Sequence, residues 1–232
     1  PVTVSLVELT EPDETVITST NFSVAVAGCV NDSVTYGTIQ AAIDDASSGD
    51  TITVAAGTYD ECIDINKSLT LSGQPGAIVK PSNPVGSSII GINADGVTVE
   101  GFEVDGTGLI EIYAGIGSCH WTGDGATKWN GYKNITIRNN KVHDIANGVD
   151  SGLGISLWRN DDNIFENILI EGNTVYNTDR MGIYIGAIKW DYSEWLLSAS
   201  NTIRDNEVYA TMLKPNAGET FPGGCGGIAV DA

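Results

Sequence analysis

Positive charge is what this sequence has least of. Eleven lysines and arginines stand against 30 acidic side chains in 232 residues, a net charge of −19. A surface of that sign repels a phosphate backbone, which argues against nucleic acid as a partner. Long apolar runs are missing too. None approaches the roughly 18 residues that cross a bilayer as a helix, so no membrane-spanning helix is expected. The sequence starts at Pro1 without a hydrophobic leader, which is compatible with a leader already removed. No CxxC spacing occurs among Cys29, Cys62, Cys119 and Cys225, and that speaks against a zinc site. Their even number suits two disulfides in an exported protein, with three pairings open; buried thiols are the alternative. Sequons at Asn21, Asn31, Asn66 and Asn134 also suit export. Helix-forming Leu, Lys and Arg are scarce while glycines number 28, a composition that fits a β protein with many tight turns.

What is present is repetition. Ile135-Thr-Ile-Arg-Asn-Asn140-Lys-Val142 returns as Ile168-Leu-Ile-Glu-Gly-Asn173-Thr-Val175 and again as Asn201-Thr-Ile-Arg-Asp-Asn206-Glu-Val208. Ile137, Ile170 and Ile203 are 33 residues apart, as are the three asparagines and the three valines. A fixed period with one supersecondary unit per repeat marks a solenoid, here built as strand, Asn corner, strand, loop, strand.

Residues 1–30 differ from the rest. Val2-Thr-Val-Ser-Leu-Val7 and Phe22-Ser-Val-Ala-Val-Ala-Gly28 alternate and read as two strands, an N-terminal extension before a solenoid over 31–232. Thr38 to Ala46 is the one clear helix. Thr38 caps it, and Ile39, Ala42, Ile43 and Ala46 share a face that would cover the open end of the first coil.

The stretch from Tyr36-Gly-Thr-Ile-Gln-Ala-Ala-Ile-Asp-Asp-Ala46 through Gly49-Asp-Thr-Ile-Thr-Val-Ala-Ala-Gly-Thr-Tyr59-Asp-Glu61 to Lys67-Ser-Leu-Thr-Leu-Ser-Gly73 resembles the opening of secreted right-handed parallel β-helix proteins of the pectate-lyase-like superfamily. The resemblance implies an all-β single-stranded solenoid of about six coils with a capping helix. Its strands would sort into three sheets: one over 69–71, 97–99, 135–137, 168–170 and 201–203; a second over 77–80, 102–104, 140–142, 173–175 and 206–208. The third would hold 62–65, 89–92, 110–113, 154–158, 182–186 and 227–231. Stacked at about 4.8 Å, six coils make a rod roughly 30 Å long.

Long loops flank only the third sheet, and in this superfamily that sheet floors a polysaccharide cleft. The resemblance therefore implies binding of polysaccharide and, if the chain is an enzyme, cleavage as a polysaccharide lyase or glycoside hydrolase. Alternation turns Ile110, Ile112, Ile155, Leu157, Ile183 and Ile185 inward and Glu111, Tyr113, Ser156, Trp158 and Tyr184 outward. Tyr113 and Trp158 would share one column, Ser156 and Tyr184 the other. The loops after that sheet add Trp121, Trp129, Lys189, Trp190 and Trp195. Indole and phenol faces stack on sugar rings; the same side chains could equally pack their own loops.

Chemistry has a thinner signal. His143, Asp179 and Arg180 lie at the groove edge and could supply a base, a cation or a calcium ligand. His143 shares its repeat position with Tyr176 and Tyr209, which suits a stacked outer column instead. Glu111 and Asp231 fall three coils apart, roughly 14 Å, beyond the about 5–9.5 Å of a glycosidase pair. Gly57-Thr-Tyr59-Asp-Glu61 is similar to a pectin methylesterase motif and Asn177-Thr-Asp179 to a polygalacturonase one, but their companion motifs are absent. Asn140, Asn173 and Asn206 resemble the asparagine ladder of β-helices, a structural role. The strand at Ile228–Asp231 has no cap after it, so more protein or a neighbouring subunit is expected to cover that end. The non-enzymatic alternative follows: a cell-exterior subunit self-associating through its β-helix ends.

Overall fold

Every coil contributes one inward-facing apolar residue to each of three walls, and those residues stack in register. The computed structural model describes residues 29–31, 34–83, 88–110, 112–121, 127–129, 131–146, 152–159, 165–187, 200–211 and 227–230. In the first wall Ile52, Leu71, Val99, Ile137, Ile170 and Ile203 pair strand to strand. The second stacks Tyr59, Val79, Val104, Val142, Val175 and Val208, and the third Ile63, Ile90, Ile116, Ile155, Ile183 and Ile228. Branched side chains fill a bore between pleated walls well, and nearly all of these are fully buried.

The result is a right-handed parallel β-helix. Among the described residues its first sheet has eight strands and its second and third have six each. The first two strands of the first sheet, Cys29–Asn31 and Val34–Tyr36, run antiparallel and hang on the edge of Thr51–Val54. Cys29 and Val30, read from sequence as the end of the N-terminal extension, pair with Val54 and Thr53. The expected strands at 2–7 and 22–28 lie outside the described residues.

The helix Ile39–Asp45 closes this end. Thr38 Oγ1 accepts from the Ala41 N–H at 3.1 Å, and the Glu61 carboxylate accepts from the Ile39 and Gln40 N–H groups at 2.8 and 3.0 Å. Three N–H groups with no intrahelical acceptor are thus satisfied. At the far end Lys67 Nζ binds the Asp44 and Ala46 carbonyls, and Ile39, Ala42 and Ile43 enter the core. Glu61 of the Gly-x-Tyr-x-Glu motif is a helix cap here.

One strand is displaced from its expected position. The third-sheet strand of the third coil is Ala114–Gly117, paired with Ser88–Ile92 and Leu153–Arg159, not 110–113. Ile110, expected inside, is 70% exposed, although Ile112 is buried. The cause is a glycine column at the corner entering this sheet. A Cβ on Gly115, Gly154 or Gly182 would overlap a Cγ1 methyl of Val142, Val175 or Val208 respectively. Each strand therefore enters with Gly-Ile, as Gly115-Ile116, Gly154-Ile155, Gly182-Ile183 and Gly227-Ile228. The alternation at 110–113 mimics a strand but lacks that corner.

Candidate functional site

Three groups of candidate residues occupy three different surfaces. On the outer face of the third sheet, Ser156 and Tyr184 are cross-strand neighbours as expected, and Trp158 lies opposite Gly186. Tyr113 precedes its strand, so it does not share a column with Trp158. Tyr184 is buried with Ala114 and Leu153, and Tyr113, Trp158 and Met181 pack half-buried against them. A Cβ at Gly186 would overlap the Tyr184 hydroxyl, so the bare glycine lets that ring lie along its own strand. Ser156 is 1% exposed and its Oγ has no hydrogen-bond partner among the described residues. Ser118, which sequence reasoning passed over, donates to the Trp158 carbonyl at 2.7 Å and accepts from its N–H at 3.0 Å, fixing the indole-bearing strand end.

Among the described residues the outer side chains of this face form one small apolar cluster. Glu111, Lys189, Trp190 and Trp195 lie outside the described residues. Trp121 and Trp129 sit at opposite ends of a two-stranded antiparallel ribbon, Cys119–Trp121 with Thr127–Trp129.

The second surface is the corner from second to third sheet. Asp179 donates its N–H to the Ile145 carbonyl and Arg180 donates its own to the Gly152 carbonyl, while Thr178 Oγ1 donates to the Arg180 carbonyl. Asp179 is buried and Arg180 half-buried.

His143 belongs to neither. It stands on the outer face of the second sheet in a column running Asp105, His143, Tyr176, Tyr209. Its ring stacks on Tyr176 with centroids 5.0 Å apart, and Tyr176 stacks on Tyr209 at the same distance. The stacked column expected from the repeat position is therefore present. Nδ1 lies 2.6 Å from Asp144 Oδ2 and Nε2 3.0 Å from Glu103 Oε1. Neither Asp179 nor Arg180 is among its partners, so the three candidate catalytic residues do not converge.

The carboxylates around His143 are strongly anionic. Burial opposes ionisation of Asp105, but hydrogen bonds from Lys80 and Thr107 outweigh it and hold the carboxyl at about 2. Glu103 is lowered chiefly by its hydrogen bond from Lys141. For Asp144, burial again opposes, and the bonds to His143 and Asn177 prevail. Asp105, His143 and Asp144 bring ligand atoms within 4.8 Å of one another, the described group best placed to hold a cation. Every one of those atoms is already engaged, because Lys80 Nζ sits 2.7 Å from Asp105 and Asn177 donates to Asp144 at 3.1 Å. Calcium, which prefers an all-oxygen shell, would have to displace an ammonium and accept an imidazole neighbour.

The asparagine ladder is as expected. Asn140 and Asn173 each donate backbone N–H and Nδ2 to the Oδ1 of the asparagine one coil on. The residue before each rung, Asn139, Gly172 or Asp205, adopts positive φ. On the first sheet a charge column alternates along the axis as Glu100, Arg138, Glu171, Arg204, with Arg138 on Glu100 and Arg204 on Glu171. Cys62, one of the four cysteines, is half-buried just before the strand Ile63–Ile65.

No family model matches this chain, and no solved structure matches it. A cell surface glycoprotein of Methanothermus fervidus is 46% identical over 81 residues, covering 33% of this chain and 13% of that protein. The chain thus corresponds to a small part of the relative's length. Among the described residues no helix is long and apolar enough to cross a membrane.

Proposed function

We propose that this chain is a scaffold segment of a cell-surface protein, a β-solenoid whose contribution is structural rather than catalytic. The observation that carries the reading is the column on the second sheet. Lys80, Asp105, His143, Tyr176 and Tyr209 include the groups best suited to act as acid, base or cation ligand, and each bonds or stacks to a neighbouring coil. Side chains held in this way stabilise the rod and have little freedom to meet a substrate. The surface location rests on the similarity to the cell surface glycoprotein. Labelling intact cells and lysed cells with antibody against the folded chain tests it. Equal labelling of both supports the surface, and signal confined to lysed cells rejects it.

A second reading concerns the third sheet, where Tyr113, Trp158 and Met181 remain half-exposed over the Ala114–Leu153–Tyr184 cluster. Aromatic faces at the edge of an apolar patch suit contact with sugar rings. Glycan binding there, with Trp121, Trp129, Lys189, Trp190 and Trp195 contributing from the loops, is the role that the pectate-lyase-like resemblance supports. Glycan-array binding lost in Trp158→Ala would favour this reading; an array that is blank for the unaltered chain would remove it.

A further inference from the structure

The corner leading from the third sheet into the first carries two exposed asparagines in Asn-x-Ser/Thr triplets. Asn66-Lys67-Ser68 lies there in one coil and Asn134-Ile135-Thr136 two coils further along. The asparagines of the ladder lack the triplet, since Asn140, Asn173 and Asn206 are each followed two residues on by valine. The side chain of Asn66 makes no hydrogen bond among the described residues. At Asn134 the backbone N–H donates to the Glu166 carbonyl at 2.9 Å, and Oδ1 accepts from Asn167 Nδ2 at 2.8 Å. Neither bond uses Asn134 Nδ2, which has no partner among the described residues. An N-linked sugar replaces one hydrogen of Nδ2 and leaves Oδ1 free to accept, so it disturbs neither bond.

Asn167 supplies an internal comparison. It occupies the same corner one coil beyond Asn134, exposed, with a φ of 57° against 58°. Such left-handed corners suit asparagine for backbone reasons alone. Two residues on, however, Asn167 has Leu169, which pairs with Thr136 across the first sheet. It shares the geometry of Asn134 without the hydroxyl that an oligosaccharide transferase requires.

We infer that Asn66 and Asn134 are N-glycosylated, which gives the rod one sugar-bearing edge. The inference rests on the surface reading above, because the transfer takes place on the exported side of a membrane. The donor is an oligosaccharide joined through C1 of its first sugar to a polyprenyl phosphate or diphosphate. Nδ2 forms a bond to C1 while the bond from C1 to the phosphate oxygen breaks. The polyprenyl phosphate leaves with that electron pair, and the proton from Nδ2 passes to a base of the transferase. Folded, both triplets are tied down. Thr136 donates its N–H to the Val97 carbonyl within the first sheet, and Ser68 Oγ donates to the Gly96 carbonyl at 3.0 Å. Lys67 Nζ is held by the Asp44 and Ala46 carbonyls. Transfer therefore precedes the folding of these coils.

The test isolates the protein from cells that make it, after intact cells are labelled with a reagent that cannot enter them. Cleavage after Lys and Arg places Asn134 on residues 134–138, and cleavage before Asp places Asn66 on 64–94. In labelled protein both peptides are expected to carry an oligosaccharide on the asparagine, read from fragment masses, and the peptide bearing Asn167 to be bare. Thr136→Val and Ser68→Ala are expected to lose the sugar at Asn134 and Asn66 respectively. Thr136→Ser and Ser68→Thr are expected to keep it. A variant that folds badly still reports, because transfer comes before folding. Either asparagine bare in labelled protein would overturn the inference for that residue. Both bare would overturn it whole and leave the surface reading standing, whereas protein that takes no label and carries no sugar would overturn the two together. Sugar on Asn167, or sugar kept on Asn134 in Thr136→Val, would overturn the assignment to these triplets.

Discussion

Asn173 Oδ1 accepts two hydrogen bonds from Asn140, one from the backbone N–H at 3.0 Å and one from Nδ2 at 3.1 Å. Both residues are buried, so neither donor has water to fall back on. Asn173→Ala is expected to cost about 2–4 kcal/mol, since it strands two buried donors on Asn140 and removes the bond to the Ile137 carbonyl. Asn206→Ala strands the same two donors on Asn173, but its site is only half-buried and water can replace the lost acceptor, so it is expected to cost less. Urea unfolding of both variants checks the order, and equal losses would show that the rungs do not depend on burial.

Gly154 faces Val175 across the corner that leads into the third sheet. Gly154→Ala is expected to destabilise by about 1–3 kcal/mol through overpacking. Adding Val175→Ala should recover part of that loss, because it removes the methyl that the new Cβ meets. A double variant as unstable as the sum of the two singles would mean that the corner is tight for another reason.

Acid should weaken the protein through one small region. Asp105, Glu103 and Asp144 all sit below their ordinary values in the folded state. A lowered carboxylate contributes stability that is present above its unfolded value and is lost as pH falls. For Asp105 that window runs from near 3.8 down to about 2. Asp105→Asn is expected to flatten the fall in melting temperature across that range and to leave its slope near neutral pH unchanged. An unaltered acid limb would show that other carboxylates dominate.

The 33-residue spacing located three of the six coils and all three ladder rungs, because the rungs repeat the same residue types in the same register. The helix and its burial face followed from apolar spacing. The strand at Ala114–Gly117 was missed because alternation alone cannot distinguish a strand from an exposed turn. Its real signal, Gly-Ile at the corner, becomes visible only once Gly154-Ile155, Gly182-Ile183 and Gly227-Ile228 are aligned with it. His143 was legible as a column member, from its spacing to Tyr176 and Tyr209. The carboxylates that grip it were not, since Glu103 and Asp105 come from a coil 38 or more residues earlier in the chain. On the third-sheet face the pairing of Ser156 with Tyr184 was legible from alternation, but the packing of the Tyr184 ring over Gly186 was not, since it depends on a bare glycine two residues on in the same strand.

The stack beneath Tyr176 offers a narrower check. His143→Phe keeps a flat ring between the two neighbouring coils and removes both contacts to carboxylates. It is expected to fold, with stability reduced by about 1–3 kcal/mol for the carboxylates left without their imidazole partner. A variant as stable as the parent would show that Glu103 and Asp144 gain nothing from the imidazole.

The most direct measurement is a cleavage panel. Acidic and neutral polysaccharides, with and without calcium, are incubated with the purified chain while reducing ends and unsaturated products are followed. A scaffold whose His143, Asp105 and Glu103 are bound into the rod is expected to release neither from any of them. Turnover that disappears in His143→Phe or Asp179→Asn would contradict that reading and return the chain to the enzymes.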